Sequence, residues 1–261
     1  MIFIIGGKGL VGSAIVRYLE KNKLHYKNIQ RENRQDFFGK SCDVLIYANG
    51  NAYKYKAIED PHFDFIASVT SVAEYIHNIK FKKFILISTV DVYSDTSSLK
   101  NTYESVEIDE DKLNNYGYHK LLAENYVRHF CENYLIFRLS GLVGKGLKKN
   151  PIYDFIHKDK KVMISKKSKM NIINTEYVAQ IIFKIINLNI NNETFNLASE
   201  NSIYIKDLKK ILNFDSEYTQ KSEKYLQNYK INVNKIKKNI TLSRSEDAIS
   251  EYFKSILINK I

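Results

Sequence analysis

A glycine-rich turn between an apolar run and a helical pattern constrains this chain more than any other feature. Met1-Ile2-Phe3-Ile4-Ile5 is a short continuous apolar run, the pattern of a strand buried on both faces of a parallel sheet. Gly6-Gly7-Lys8-Gly9-Leu10-Val11-Gly12 follows, and Leu10, Val11, Ala14, Ile15 and Leu19 then recur at helical spacing. A chain that passes from buried strand to helix through glycines brings bare backbone to a helix N-terminus. The unpaired N–H groups and the helix dipole there favour an anion, and the missing side chains let a pyrophosphate approach. Gly6, Gly9 and Gly12, with Lys8, Leu10 and Val11 beside them, are therefore candidate dinucleotide-binding residues.

The rest of the chain alternates in the same way. Strands are expected near residues 26–30, 43–47, 84–87, 135–138 and 194–198, and helices over 65–80 and 175–187. The third strand ends in Ala48-Asn49-Gly50, small residues of the kind a cofactor can lie against at the carboxyl end of a sheet. The fourth runs into Ser88-Thr89-Val90-Asp91-Val92-Tyr93, which places the Thr89 hydroxyl and the Asp91 carboxylate at that same end. Residues 141–146 read as a loop, and the polar, lysine-rich tail carries helical patterns near 206–212 and 245–256. The pattern predicts an α/β fold, a Rossmann-type doubly wound parallel sheet with a small C-terminal substrate lobe. Residues 1–145 and 172–200 form the expected dinucleotide-binding domain, and 146–171 with 201–261 the lobe.

The 261 residues suit a chain with one sizeable core. The formal net charge is +11, but its lysines are scattered rather than gathered in a stripe, so no nucleic acid is expected and the field suits small anions. No apolar run reaches the length of a membrane span, so no membrane partner is expected. Cys42 and Cys131 have no metal-ligand spacing, and no metal site is expected; they fit a reduced cytoplasm.

Tyr116 and Lys120 stand four apart at the start of a helical pattern, hence on one face. A cation beside a phenol favours phenolate and would lower a pKa that is ordinarily about 10. Such a tyrosine can exchange a proton with a substrate oxygen near neutral pH. Lys8 and Arg31 could together grip a ribose 2′-phosphate, which favours NADP(H) over NAD(H). Glu32, shortly after the second strand, is the alternative that would suit NAD(H).

Four blocks now line up in order: the glycine loop, Ala48-Asn49-Gly50, Ser88-Thr89-x-x-Val92-Tyr93, and Tyr116-x-x-x-Lys120 with Glu124. Together they resemble the extended short-chain dehydrogenase/reductases, the NAD-dependent epimerase/dehydratase family. The similarity covers about residues 1–200 and thins in the tail. The resemblance implies that Tyr116 is the catalytic acid/base and that Thr89 hydrogen-bonds the reacting oxygen. It implies that Lys120 tunes Tyr116 and holds the nicotinamide ribose. An NADP(H)-dependent reductase of a nucleotide-diphosphate sugar, in surface polysaccharide or deoxysugar synthesis, is the function implied. A homodimer is entertained. An epimerase, with Asp91 as the extra acid/base, and a non-catalytic dinucleotide sensor are the alternatives. Ser68 stands where the family commonly has a helix asparagine, and Val90-Asp91 replaces the acidic pair of the dehydratases. Lys145, Lys148, Lys149, Lys166 and Lys167 are candidates to meet the substrate's phosphates.

Overall fold

The computed structural model describes residues 1–51, 54–157 and 160–258. In chain order, β1 (Ile2–Ile5), α1 (Leu10–Lys21), β2 (Tyr26–Ile29) and β3 (Ser41–Tyr47) lead into the short helices α2 (Lys54–Glu59), α3 (Pro61–Phe65) and α4 (Ser71–Asn78). β4 (Lys80–Thr89), α5 (Asn115–Phe130) and β5 (Tyr134–Leu139) come next. They are followed by β6 (Gly141–Val143), α6 (Pro151–Ile156), β7 (Lys169–Met170), β8 (Ile172–Asn174), α7 (Thr175–Ile186) and β9 (Glu193–Leu197). The tail adds β10 (Ile203–Tyr204), α8 (Leu208–Leu212), α9 (Asn234–Lys237) and α10 (Ser245–Ile258).

Six strands form one sheet in the order β2-β1-β3-β4-β5-β9, and the pairings from β2 through β5 are parallel. The expected doubly wound α/β architecture is the one this chain adopts. Its strands are apolar because both faces of the sheet are covered: Ile4, Leu45, Ile46, Phe84 and Ile85 have no exposed surface. Burying each such side chain is worth about 1.5–3 kcal/mol. After β1 the chain first builds β2 on one side and then β3 on the other. That reversal opens a crevice beyond the carboxyl ends of β1 and β3, where ligands of such sheets lie.

Two expectations need correction. The helix expected over 65–80 starts earlier and is interrupted: Pro61 opens α3, Asp60 accepts from the Phe63 N–H at 2.9 Å, and a π-helical turn at Ile66–Thr70 joins α3 to α4. Asp followed by Pro is a helix-start signal in its own right, whereas the apolar repeat that suggested the helix begins later. The loop expected over 141–146 contains β6, which pairs in parallel with β8.

The chain divides into two compact units, residues 1–94, 104–139 and 179–195 in one, and 95–103, 140–178 and 196–261 in the other. The second is larger than the expected lobe because β6 pairs with β8 and because the Thr102 hydroxyl donates to the Lys230 carbonyl at 2.8 Å, tying 95–103 to the tail. No helix among the described residues is long and apolar enough to cross a membrane.

Candidate active site

The glycine loop and the end of β3 meet at backbone level. Gly6 has φ +82°, and a Cβ there would lie 2.8 Å from the Ala48 carbonyl oxygen. A Cβ on Gly12 would lie 2.1 Å from the Gly6 oxygen, so α1 can settle onto the loop only with glycine at that position. Gly9 caps α1 without a side-chain hydrogen bond, and the first-turn donors, those of Leu10 and Val11 among them, are of the kind a helix N-terminus offers to an anion. This donor set fits a dinucleotide pyrophosphate. Lys8 and Arg31 are both exposed, as is Glu32. Beyond β2, Gln30 is engaged inward, its Nε2 donating to Asn28 Oδ1 at 2.5 Å and its N–H to Asn33 Oδ1 at 2.7 Å. Gly50, at φ +140°, leads the same edge toward Lys120: a Cβ there would be 3.9 Å from Lys120 Nζ.

Tyr116 and Lys120 lie in the first turns of α5, whose cap is the Asn114 side chain, accepting from the Gly117 N–H at 2.9 Å. The Tyr116 side chain lies near the Thr89 hydroxyl. Thr89 Oγ1 donates to Asp91 Oδ2 at 2.9 Å and accepts from the Asp91 N–H at 3.2 Å. Asp91 is in turn held by Lys54, whose Nζ lies 2.7 Å from Oδ1 and 2.6 Å from Oδ2. Thr89, Asp91, Tyr116 and Lys120 thus gather at the carboxyl end of β4, with Lys54 joining them from α2.

The electrostatics differ from the simple phenol–ammonium expectation. Burial and then the Asp91 charge push the Tyr116 phenol above its ordinary range, and Asp64 adds to this. The cation that draws it down is Lys54, helped by the neighbouring Thr89 hydroxyl. The lowering expected from Lys120 is therefore corrected. Lys120 is 5% exposed and donates to the Ile87 carbonyl at 2.8 Å. Burial pushes its ammonium down to about 8, against the upward pull of Glu124 and Asp64.

Two buried polar groups brace α5. Glu124, fully buried, accepts from Ser88 Oγ at 2.5 Å, from Arg138 Nε at 3.0 Å and Nη2 at 2.7 Å, and from Arg128 Nη2 at 2.7 Å. Burial works against its charge, but the Arg138 guanidinium, with Arg128 and Ser88, holds the carboxyl below its usual range. Asp64, also fully buried, accepts from Asn51 Nδ2 at 2.9 Å and lies 2.7 Å from His119 Nδ1. Ser68 Oγ, in the π-helical turn, is buried and finds no hydrogen-bond partner among the described residues.

Sequence reasoning missed Lys54, Asp64, His119 and Gly117. Only His119 had a local cue, a second polar ring directly before Lys120; Lys54 and Asp64 reach the site through long-range packing. The basic candidates of the second unit are dispersed. Lys148, Lys149 and Lys167 are exposed, Lys166 lies over the Tyr218 ring at 4.6 Å, and Lys145 borders a hollow lined by Tyr153, His157 and Tyr252.

The family model described as "NAD dependent epimerase/dehydratase family" matches residues 2–198. No curated protein sequence matches. Among solved structures, "MoeE5 in complex with UDP-glucose and NAD" is similar with a TM-score of 0.84 at 10% identity, over 100% of this chain and 99% of that one. The UDP-glucuronic acid 4-epimerase from Bacillus cereus, in complex with UDP-glucuronic acid and NAD, gives 0.78 at 18% identity over 98% and 99%. RMD from Pseudomonas aeruginosa complexed with NADPH gives 0.78 at 15% identity over 98% and 99%. At these identities the likeness is one of fold.

Proposed function

Because this chain belongs to the NAD dependent epimerase/dehydratase family, we propose that it reduces a keto group on a nucleotide-diphosphate sugar with NADP(H). The observation that carries the reading is that Tyr116, Thr89 and Lys120, whose Nζ donates to the Ile87 carbonyl, gather at the carboxyl end of β4 beside the Gly50 end of β3. A phenol and a hydroxyl converging on one point can hold a carbonyl oxygen between them, and a phenol kept protonated by burial is an acid for that oxygen. When bound, the nicotinamide cofactor supplies the hydride for the carbonyl carbon. Tyr116 gives its proton to the oxygen, Thr89 orients that oxygen, and Lys120 contributes a buried positive charge beneath the site.

The preference for NADP(H) is supported by Lys8 within the glycine loop and Arg31 just past β2, both exposed. Just past β2, Gln30 is an amide, not the carboxylate that would suit a free ribose, and its Nε2 is engaged with Asn28.

The second reading is a nucleotide-sugar epimerase. It is favoured by the Asp91–Lys54 pair, a second acid–base couple next to Thr89, and by the 4-epimerases among the similar folds. Absorbance at 340 nm with a panel of 4-keto nucleotide sugars, together with product analysis on the corresponding 4-hydroxy nucleotide sugars, separates the two. Stoichiometric NADPH consumption supports the reductase. Interconversion of 4-hydroxy epimers with no net cofactor change supports the epimerase and overturns the first reading.

A further inference from the structure

The short helix α3 is built inside out. Of its five residues only Asp64 is buried, and that completely, while its neighbours Phe63 and Phe65 are 43% and 39% exposed. A helix set by its own apolar side chains would turn the rings inward and the carboxylate to water, so here the carboxylate fixes how α3 lies. A buried carboxylate needs partners for its oxygens, and Asp64 takes them from two different parts of the domain. Oδ1 accepts from Asn51 Nδ2 at 2.9 Å, directly after Ala48, Asn49 and Gly50. Oδ2 lies 2.7 Å from Nδ1 of His119, which stands on α5 between Tyr116 and Lys120. An ionised carboxylate only accepts, so that ring nitrogen carries the hydrogen. The Phe65 ring packs edge-on to the His119 ring with centroids 5.6 Å apart, and Asn51 and His119 are both buried. The same two segments approach each other again where Gly50 nears Lys120 Nζ.

We propose that Asp64 is a positioning residue, a joint through which occupancy of the cofactor edge at the end of β3 is felt at the catalytic face of α5. Ala48, Asn49 and Gly50, once occupied by a dinucleotide, fix the segment that ends in Asn51. Asn51 then orients the Asp64 carboxylate, and the carboxylate holds His119 and with it the turn that carries Tyr116 and Lys120. Only hydrogen bonds are involved, and no proton is transferred. The coupling is reciprocal: the factor by which a bound dinucleotide strengthens the Asp64–His119 contact is the factor by which that contact strengthens dinucleotide binding. It holds only while both bonds are made, because a carboxylate gripped from one side no longer reports on the other. A second tie, from Asn115 Nδ2 to the Ala57 carbonyl at 3.0 Å, holds the start of α5 to α2 and not to the end of β3.

The joint rests on the cofactor part of the proposed function and not on which reaction follows, so it and the reductase reading can fail separately. The test follows the His119 ring nitrogens by long-range ¹H–¹⁵N NMR while NADPH, and in parallel NADH, is titrated into the full chain. The chain has six histidines, and His119→Asn, which keeps a donor near the Nδ1 position, assigns the signals. In the unaltered protein the Nδ1 resonance should move in step with cofactor occupancy, read from nicotinamide fluorescence in the same samples. In Asn51→Ala the cofactor should still bind while the resonance stays in place. His119→Leu and Asn51→Ala should each weaken cofactor affinity on the order of five- to tenfold. The double variant should lose no more than either alone, and His119→Asn far less. A His119 signal that ignores bound cofactor overturns the joint. So does one that still moves in Asn51→Ala, which would assign the effect to direct contact. Affinity losses that add in the double variant also overturn it, since independent packing defects add. Binding of neither dinucleotide overturns the joint together with the cofactor assignment. Intact coupling in a protein that consumes no NADPH with any keto nucleotide sugar leaves the joint standing and removes the reductase reading. An active reductase whose His119 ignores NADPH does the reverse.

Discussion

Gly117 lies against the backbone of Asp91 so closely that a Cβ on it would be 2.2 Å from the Asp91 carbonyl oxygen. The glycine directly after Tyr116 is therefore what lets α5 rest on the turn that carries Thr89 and Asp91. Gly117→Ala must displace either the helix or the turn. Overpacking of this kind costs about 1–3 kcal/mol. We expect a lower unfolding midpoint in urea and a turnover loss much larger than any loss of cofactor affinity, because Tyr116 and Thr89 separate while the glycine loop is untouched. Wild-type turnover in the Gly117→Ala enzyme would contradict this.

Tyr116→Phe removes one oxygen and keeps the ring. Turnover should fall to background while NADPH titration gives a nearly unchanged affinity. Substantial residual activity, or loss only on changing the exposed Tyr118, would assign the acid elsewhere.

Burial depresses the Lys120 ammonium to about 8, so the folded protein holds fewer protons than the unfolded chain between about pH 8 and the ordinary lysine value. Stability from this residue therefore rises with pH across that window, by on the order of 3 kcal/mol if the shift is fully expressed. The unfolding free energy of the wild type should gain on that of Lys120→Met from pH 8 to 10. Activity runs the other way: the charged form is lost as pH rises through about 8, and turnover should decline there. Parallel stability curves for the two proteins would show that Lys120 does not titrate in this range.

Asp64 raises the Lys120 pKa and also partners His119 and Asn51. Asp64→Asn should move the alkaline limb of the activity profile to lower pH. It should also destabilise by roughly 1–3 kcal/mol, because the buried His119 ring loses its carboxylate. A destabilised variant whose pH profile does not move would limit Asp64 to packing.

Arg31→Ala should weaken NADPH far more than NADH, since a charge-assisted contact to a phosphate is worth roughly 1.5–3 kcal/mol. Calorimetry giving equal losses for both cofactors, or tighter NADH binding by the unaltered chain, would remove the NADP(H) preference.

Much of the sheet and the central Tyr116–Lys120–Thr89 arrangement was legible in the sequence because their signals are local. Glycines at 6, 9 and 12 follow an apolar strand within a dozen residues, and Tyr116 and Lys120 share one helix face by spacing alone. What escaped is long-range. Lys54 meets Asp91 across 37 positions and Asp64 meets His119 across 55, and no window of sequence contains such a pair. The direction of the Tyr116 shift escaped for a related reason: it depends on how deeply the phenol is buried and on which charges face it, and both are products of packing.

The π-helical turn at Ile66–Thr70 lies between α3 and α4, with Val69 and Ser68 buried within it and Val72 and Ile76 buried just after. Such a turn closes its hydrogen bonds over one residue more than an α-turn. In a plain α-helix, losing a residue would rotate everything downstream by roughly 100° and carry Val72 and Ile76 off the core. Here the surplus residue is already bulged out of the repeat, so a chain one residue shorter could tighten to an ordinary helix with the same faces buried on either side. Removing one residue within Ile66–Thr70 is thus expected to leave the buried faces on either side in place.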